Sequence, residues 1–347
     1  MVDQTNTISS RGKQRVVILG SGFGAIQTAK NLKSNKFEVT MISPRNHFLF
    51  TPLLIGSAVG TVEARNITEP VRLKKKKYEY FQASCIKIQS DKKSILCKSI
   101  PQESVFEVGY DKLVIAIGAN SSTFGVEGVK DHAVFLKEAE DARKIRKHVI
   151  QSLEQASLPG ISEYEKRRLL QWVIVGGGPT GSEFAGELHD FVKDAGEKYP
   201  KAVPFIKITL LEAMENILPV FDQSLQEYAE QRFRREGIEI RKNETADKVL
   251  PDAIVLKSGE KIPCSLVVWS TGVKPHSLVT ETDFPKSEKG FFLTDQHLRV
   301  KNKPDIFAIG DTAQREENPL PATAQVAQQQ GKFLGKYLTR TSKGKAL

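Results

Sequence analysis

Apolar positions along the chain fall into short blocks separated by glycines and charged stretches. Residues 16–20 (VVILG), 48–56 (FLFTPLLIG), 113–119 (LVIAIGA) and 172–178 (WVIVGGG) are the densest of these blocks, and each ends at or beside a glycine. Continuous apolar runs of this length, bounded by glycine, read as strands of a parallel sheet covered on both faces. The order strand, glycine turn, helix, strand over residues 15–44 is repeated by residues 170–192 and 206–213, about 155 residues later. Two βαβ units that far apart predict an α/β protein with two Rossmann-like dinucleotide-binding domains. A length of 347 residues accommodates them.

Between the repeats, residues 78–97 and 104–119 read as a small β-meander that leads into a core strand ending near Gly118. Residues 137–157 carry Ala142, Ile145, Val149 and Leu153 at helical spacing with charges elsewhere, and Pro159 and Gly160 close that helix. Glu163 to Arg168 form a charged lead-in to the second repeat. Beyond it come a helix over about 224–236, strands around 237–243, 252–259 and 266–272, a return through "DIFAIGDTA", and a last helix starting near Ala322. The expected division is an arm over 1–14, a discontinuous first domain over 15–165 and 275–347, and a second domain over 166–274.

The first glycine turn is Gly20-Ser21-Gly22-Phe23-Gly24-Ala25. Gly20 permits the tight turn, Gly22 lets backbone approach a pyrophosphate, and the small Ala25 permits close helix–strand packing. The helix behind the turn aims its N–H groups and positive dipole end at the phosphates. Its second strand ends in Ser43, Pro44 and Arg45, where an acidic ribose-binding residue is the usual choice. The second turn is Gly176-Gly177-Gly178-Pro179-Thr180-Gly181, and its following strand ends in Glu212. The spacing of 36 residues exceeds the usual value of about 20, and "DAGEKYPKAVPF" reads as the insertion responsible. An acid there binds a ribose 2′-OH and repels a 2′-phosphate, so NADH is expected over NADPH; a solvent glutamate is the alternative. Asp311, just after Gly310 at a strand end, suits a polyol hydroxyl, an N-cap, or both.

Composition narrows the class. At 39% hydrophobic and 27% charged the chain is globular, and no apolar run reaches the roughly 18 residues of a membrane-spanning helix. The net charge of +10 favours anionic partners. It peaks at Lys74, Lys75, Lys76 and Lys77 behind Arg72, read as a solvated run or as a lipid-facing patch. Basic residues are not interleaved with aromatics, so nucleic acid is not an expected partner. The three cysteines, Cys85, Cys97 and Cys264, are far apart in sequence and form no C-x-x-C pair. A redox-active disulfide of that kind is therefore not expected, nor a cysteine- or histidine-held metal. None of the six histidines is assigned a catalytic role. The polar stretch from Met1 to Gln14 reads as a flexible arm, and Asp3 and the single Arg11 fit a targeting segment poorly.

The set "GSGFGA", "ISPRNHFLFTPLL", "GGGPTGSEFAGEL", "LLEA", "WSTG", "IFAIGD" and "PATAQVAQQQ" resembles, in order, the type II NADH:quinone oxidoreductases, from about Arg15 to Leu338. The likeness implies a flavoprotein that oxidises NADH through FAD and reduces a quinone-like acceptor, in the mitochondrion, at the inner membrane or in the matrix. It also implies roles. Gly20, Gly22, Phe23, Gly24 and Ala25 would line the FAD pyrophosphate, Ser43 and Arg45 the adenosine end, and Thr51 and Pro52 the isoalloxazine. Gly118 and Asp311 would complete the flavin site, with Asp311 on the ribityl chain. Ala324, Gln325 and Val326 would cap the pyrimidine, and Gln325 and Gln329 would face the quinone. Gly176, Gly178, Pro179, Thr180, Gly181, Glu212 and Gly272 would hold NADH. Glu183 matches a family glutamate near nicotinamide and flavin, with a first-turn glutamate serving the helix dipole as its alternative.

Members of this family continue past the flavin-capping helix into an amphipathic membrane anchor, and "TRTSKGKAL" has no such helix. Two other readings follow: an accessory subunit of a larger mitochondrial assembly, and a diaphorase of the apoptosis-inducing-factor type. The expected partners are a quinone-like acceptor, a membrane or host complex met through basic surface, and a second copy of the chain.

Overall fold

The computed structural model describes residues 12–33, 35–72 and 78–342. The Lys74–Lys77 cluster and most of the N-terminal arm lie outside them. In chain order the first elements are β1 (Gln14–Leu19), α1 (Phe23–Asn31), β2 (Phe37–Ser43) and α2 (Leu54–Val59). They are followed by β3 (Glu79–Gln89), β4 (Ser94–Ser99), β5 (Val105–Gly109), β6 (Lys112–Ile115), β7 (Val134–Phe135) and α3 (Ala139–Ala156). Next come β8 (Gln171–Val175), α4 (Pro179–Ala195), β9 (Lys207–Glu212), α5 (Gln223–Arg235) and β10 (Glu239–Lys242). The chain closes with β11 (Leu266–Trp269), β12 (Ile306–Ala308) and α6 (Ala324–Thr341).

The chain divides into two compact units, residues 1–49, 68–120 and 274–347 in the first, 50–67 and 121–273 in the second. Residues 50–67 and 121–165, expected beside the first glycine turn, group with the second unit instead. The reason is helix packing, since α2 and α3 lie against each other and α2 against α4.

In the first unit the sheet order is β12-β6-β1-β2-β3-β4-β5. The first five strands run parallel, and β3, β4 and β5 form the expected antiparallel meander. Val16, Val17, Ile18 and Leu19 are all at or below 2% exposure, which explains why β1 is apolar without alternation. The chain leaves β1 toward β2 on one side and finds β6 on the other, so the first glycine turn sits at a topological switch point.

In the second unit the order is β7-β11-β8-β9-β10, all parallel. β8 is buried throughout, and its neighbours β9 and β11 again leave on opposite sides.

One apolar run is not the strand that its pattern predicts. Residues 48–56 form the end of a three-residue strand (His47–Leu49), a 3₁₀ turn (Thr51–Leu53) and the start of α2. Pro52 removes a ladder donor and sets φ for the turn, while a short apolar run alone does not separate strand from buried helix. The lead-in Glu163 to Arg168 is likewise a helix, Glu163–Leu169, whose N-cap Ser162 accepts the Glu165 N–H.

Candidate nucleotide-binding sites

The two glycine turns are built to one plan. Gly20 has φ +110° and Gly176 φ +108°, backbone that an L side chain rarely adopts. A Cβ on Gly20 would run into the Ala116 carbonyl, and one on Gly176 would stand 2.6 Å from the Ser270 carbonyl oxygen. Each N–H donates to the neighbouring parallel strand, Gly20 to Ile42 O and Gly176 to Leu211 O, both at 2.8 Å. The helices that follow share a further property. The N-caps of α1 and α4 are Gly22 and Gly178, in extended backbone with no side-chain cap. By contrast, Thr323 caps α6 by accepting the Val326 N–H. Uncapped first-turn N–H groups facing a glycine turn are an anion site. Among the described residues, nothing lies within 4 Å of where a Cβ would stand on Gly178, and on Gly22 only the Arg45 guanidinium, at 4.0 Å. The open space in both turns fits a pyrophosphate.

Beyond that common plan the two turns differ at the end of the second strand. In the second unit Glu212, 8% exposed, accepts the Gly177 N–H at 2.6 Å and the Met214 N–H at 2.8 Å, one on each oxygen. Two bonds leave further acceptor positions on the carboxylate for a ribose diol. In the first unit the equivalent positions are Ser43 and Ser21. Ser43 Oγ donates to Ser21 Oγ at 3.1 Å, and the Arg45 N–H donates to Ser43 Oγ at 3.2 Å. Ser43 is thus a buried organiser, and Arg45 brings a cation to the Gly22 cradle in place of the usual acid. Sequence patterning singles out neither Ser21 nor Gly177. Gly177 leaves no room for a Cβ, with Ile217 Cγ2 2.8 Å away, a requirement that only the folded loop reveals.

Gly24 and Ala25 are buried. A Cβ on Gly24 would stand 2.9 Å from Ile309 Cδ1 and 3.3 Å from the Ala327 carbonyl oxygen. Gly24 therefore also serves the crossing of α1 and α6, where Gly331 and Gly335 leave no room for side chains. In the second turn the close-packing role falls to Gly181, whose Cβ would meet the Gly176 carbonyl. Phe23 packs edge-on to Phe48 at 4.9 Å.

Asp311 sits half-buried in the 3₁₀ turn Gly310–Thr312 of the first unit. Two bonds fix that turn: Thr312 Oγ1 donates to Gly118 O at 2.8 Å, and the Gly310 N–H donates to Gln330 Oε1 at 2.7 Å. Gly118, with φ +70° and nothing among the described residues within 4 Å of its Cβ position, leaves open space beside Asp311's turn. Nothing in the sequence marks Gln330, since a run of three glutamines does not say which one turns inward. Gln325 and Gln329 are exposed one turn apart on α6, while Ala324 and Val326 are half-buried at its start. Thr51 and Pro52 are exposed and belong to the second unit, not to the one that holds Gly20 and Ser43.

Glu183 is the fifth residue of α4, one turn further in than the sequence suggests, so first-turn dipole stabilisation does not account for it. Partial burial, then the Glu187 carboxylate one turn on, raises its pKa. Pro179 and Thr180 open the same helix. Cys85 and Cys97, distant in sequence, face each other across β3 and β4 as free thiols. The Cys85 contact and burial push the Cys97 thiol upward, the direction that makes it inert.

Two sheets with parallel cores, each with an uncapped helix behind a glycine turn at its switch point, define a protein built for two dinucleotides. The comparisons agree. Residues 14–331 match the family described as pyridine nucleotide-disulphide oxidoreductase. The chain is 46% identical over 342 residues to a probable NADH dehydrogenase of Dictyostelium discoideum, an alignment covering 96% of this chain and 76% of that one. It is 42% identical over 349 residues to the internal alternative NAD(P)H-ubiquinone oxidoreductase A1, mitochondrial, of Solanum tuberosum, covering 95% and 70%. The structure of NDH2 from Plasmodium falciparum in complex with NADH matches at a TM-score of 0.88 and 28% identity, covering 94% of this chain and 83% of that one. The chain belongs to the pyridine nucleotide-disulphide oxidoreductases, in their type II NADH dehydrogenase branch.

Proposed function

We propose that this chain is an FAD-dependent NADH dehydrogenase that reduces a quinone in the mitochondrion. The observation that carries the reading is the duplicated glycine turn with unlike partners, Ser43 and Arg45 at the first and Glu212 at the second. The names of the relatives, a probable NADH dehydrogenase and a mitochondrial NAD(P)H-ubiquinone oxidoreductase, supply the same reaction and compartment. When bound, FAD supplies the two-electron chemistry, taking a hydride from NADH and returning electrons to the acceptor.

The chain's own residues bind and orient. The first-turn N–H groups of α1, with Arg45 beside Gly22, hold the FAD pyrophosphate, and Asp311 accepts hydrogen bonds from the ribityl hydroxyls. The first-turn N–H groups of α4 hold the NADH pyrophosphate. Glu212 accepts from the adenosine ribose and repels a 2′-phosphate. We assign Glu183 to the nicotinamide side, Gly272 to NADH, and Gln325 and Gln329 to the quinone side. Association with an anionic membrane through the basic excess belongs to the same proposal.

The test is NADH oxidation by the purified, FAD-loaded chain with a soluble short-chain quinone, NADPH serving as the control. Fast, NADH-selective quinone reduction supports the reading. A yellow protein that leaves NADH and quinone unchanged overturns it in favour of an accessory flavoprotein.

A further inference from the structure

Phe124 is an exposed aromatic side chain of the second unit, held in an unusual backbone conformation. It is 71% exposed, so it contributes little to the core. Its backbone has φ +49° and that of Gly125 φ +77°, and the Val126 N–H donates to Thr123 O at 3.0 Å. That is the positive-φ pattern of a type I′ turn, in which Asn, Asp or Gly is favoured and an aromatic residue is strained. Strain held at a largely exposed side chain is a mark of a functional position.

The loop is pinned where a dinucleotide would pass. Ser122 O accepts from Trp269 Nε1 at 2.9 Å and from Thr271 Oγ1 at 2.7 Å. The Ser122 N–H donates to Gly272 O at 2.8 Å, and the Phe124 N–H donates to Ser122 Oγ at 3.3 Å. The Phe124 ring tip lies 3.5 Å from where a Cβ on Gly272 would stand. All of this is at the carboxyl end of β11, whose next residue, Ser270, borders Gly176. Glu212 ends β9, on the other side of β8. With the pyrophosphate at the turn after β8 and the adenosine ribose at Glu212, the other half of the dinucleotide runs toward β11.

Building on the NADH reading above, we infer that Phe124 is an aromatic contact for the nicotinamide riboside half of NADH. An aromatic face in contact with that half gains apolar and stacking energy that an Asn lacks. The strained turn holds the ring out beside the carboxyl end of β11.

The test uses two variants of the FAD-loaded chain. Phe124→Asn puts a favoured residue into the same turn, so it should raise the melting temperature while raising KM for NADH about tenfold. The effect should be concentrated in KM rather than kcat. Phe124→Trp should keep KM near that of the parent, and its added indole emission should be quenched by NAD⁺. A Phe124→Asn protein that is more stable with an unchanged KM, or a Phe124→Trp emission blind to NAD⁺, overturns the inference. A parent chain that fails to oxidise NADH, while the added emission of Phe124→Trp is quenched by NAD⁺, would instead overturn the dehydrogenase reading and leave the contact standing.

Discussion

Glu212 Oε2 accepts the Gly177 N–H at 2.6 Å, tying the acid that ends the second strand to the glycine turn that ends the first. With Glu212 Oε1 held by the Met214 N–H, one buried carboxylate shapes the loop and, in the role proposed for it, presents its charge to an incoming ribose. Glu212→Gln keeps the shape but replaces one acceptor with a donor that faces an N–H. The expected cost is about 1–3 kcal/mol of stability, with a fall in the NADH-to-NADPH ratio of kcat/KM. Thermal unfolding and kinetics with both nucleotides check the two halves separately.

The twin turns predict twin failures. Gly20→Ala and Gly176→Ala each force a Cβ against a carbonyl at positive φ, at an expected cost of about 1–3 kcal/mol. Their functional losses should differ. Gly20→Ala should be purified with little flavin, whereas Gly176→Ala should keep its flavin and lose NADH binding. Flavin content by absorbance and NADH titration distinguish them.

Gln330→Leu leaves the Gly310 N–H without its 2.7 Å acceptor and loosens the turn that carries Asp311. The expected destabilisation is about 1–2 kcal/mol, and flavin retention should fall. The exposed neighbour Gln329, changed to Leu, should leave flavin retention unaltered. Dialysis followed by a flavin measurement on both variants decides the matter.

Glu183 tests a sign. Partial burial and the Glu187 charge raise its folded pKa above the ordinary value of 4.5. The native state then binds its proton more tightly than the unfolded chain does, so the ionised carboxyl penalises folding at neutral pH. That penalty fades as pH falls through the raised pKa. Glu183→Gln should therefore match or exceed the parent in stability at neutral pH, and the advantage should vanish at about pH 4. Quinone-linked turnover should nevertheless drop, because the proposal places Glu183 on the nicotinamide side. Denaturant titrations at the two pH values, run beside the activity assay, report both.

The parts legible in the sequence are those in which backbone chemistry dictates residue type. Gly20 and Gly176 have no alternative at φ near +110°, and buried strands such as β1 and β8 must be apolar on both faces. The Pro52 segment reads as strand because a nine-residue apolar run does not separate strand from helix when a turn lies inside it. The grouping of residues 50–67 with the second unit depends on which helices they pack against, which local patterning does not record. Ser21, Gln330 and Phe124 escape a sequence reading for a related reason. A serine, a glutamine among glutamines and an exposed phenylalanine acquire meaning only through partners more than 15 residues away, Ser43, Gly310 and Gly272.

The central claim is that one chain brings FAD and NADH into electron transfer, and an anaerobic titration of the flavin-loaded protein tests it most directly. One equivalent of NADH should bleach the oxidised flavin spectrum, and a short-chain quinone added afterwards should restore it, while NADPH does so far more slowly. A flavin that stays oxidised under excess NADH would contradict the account.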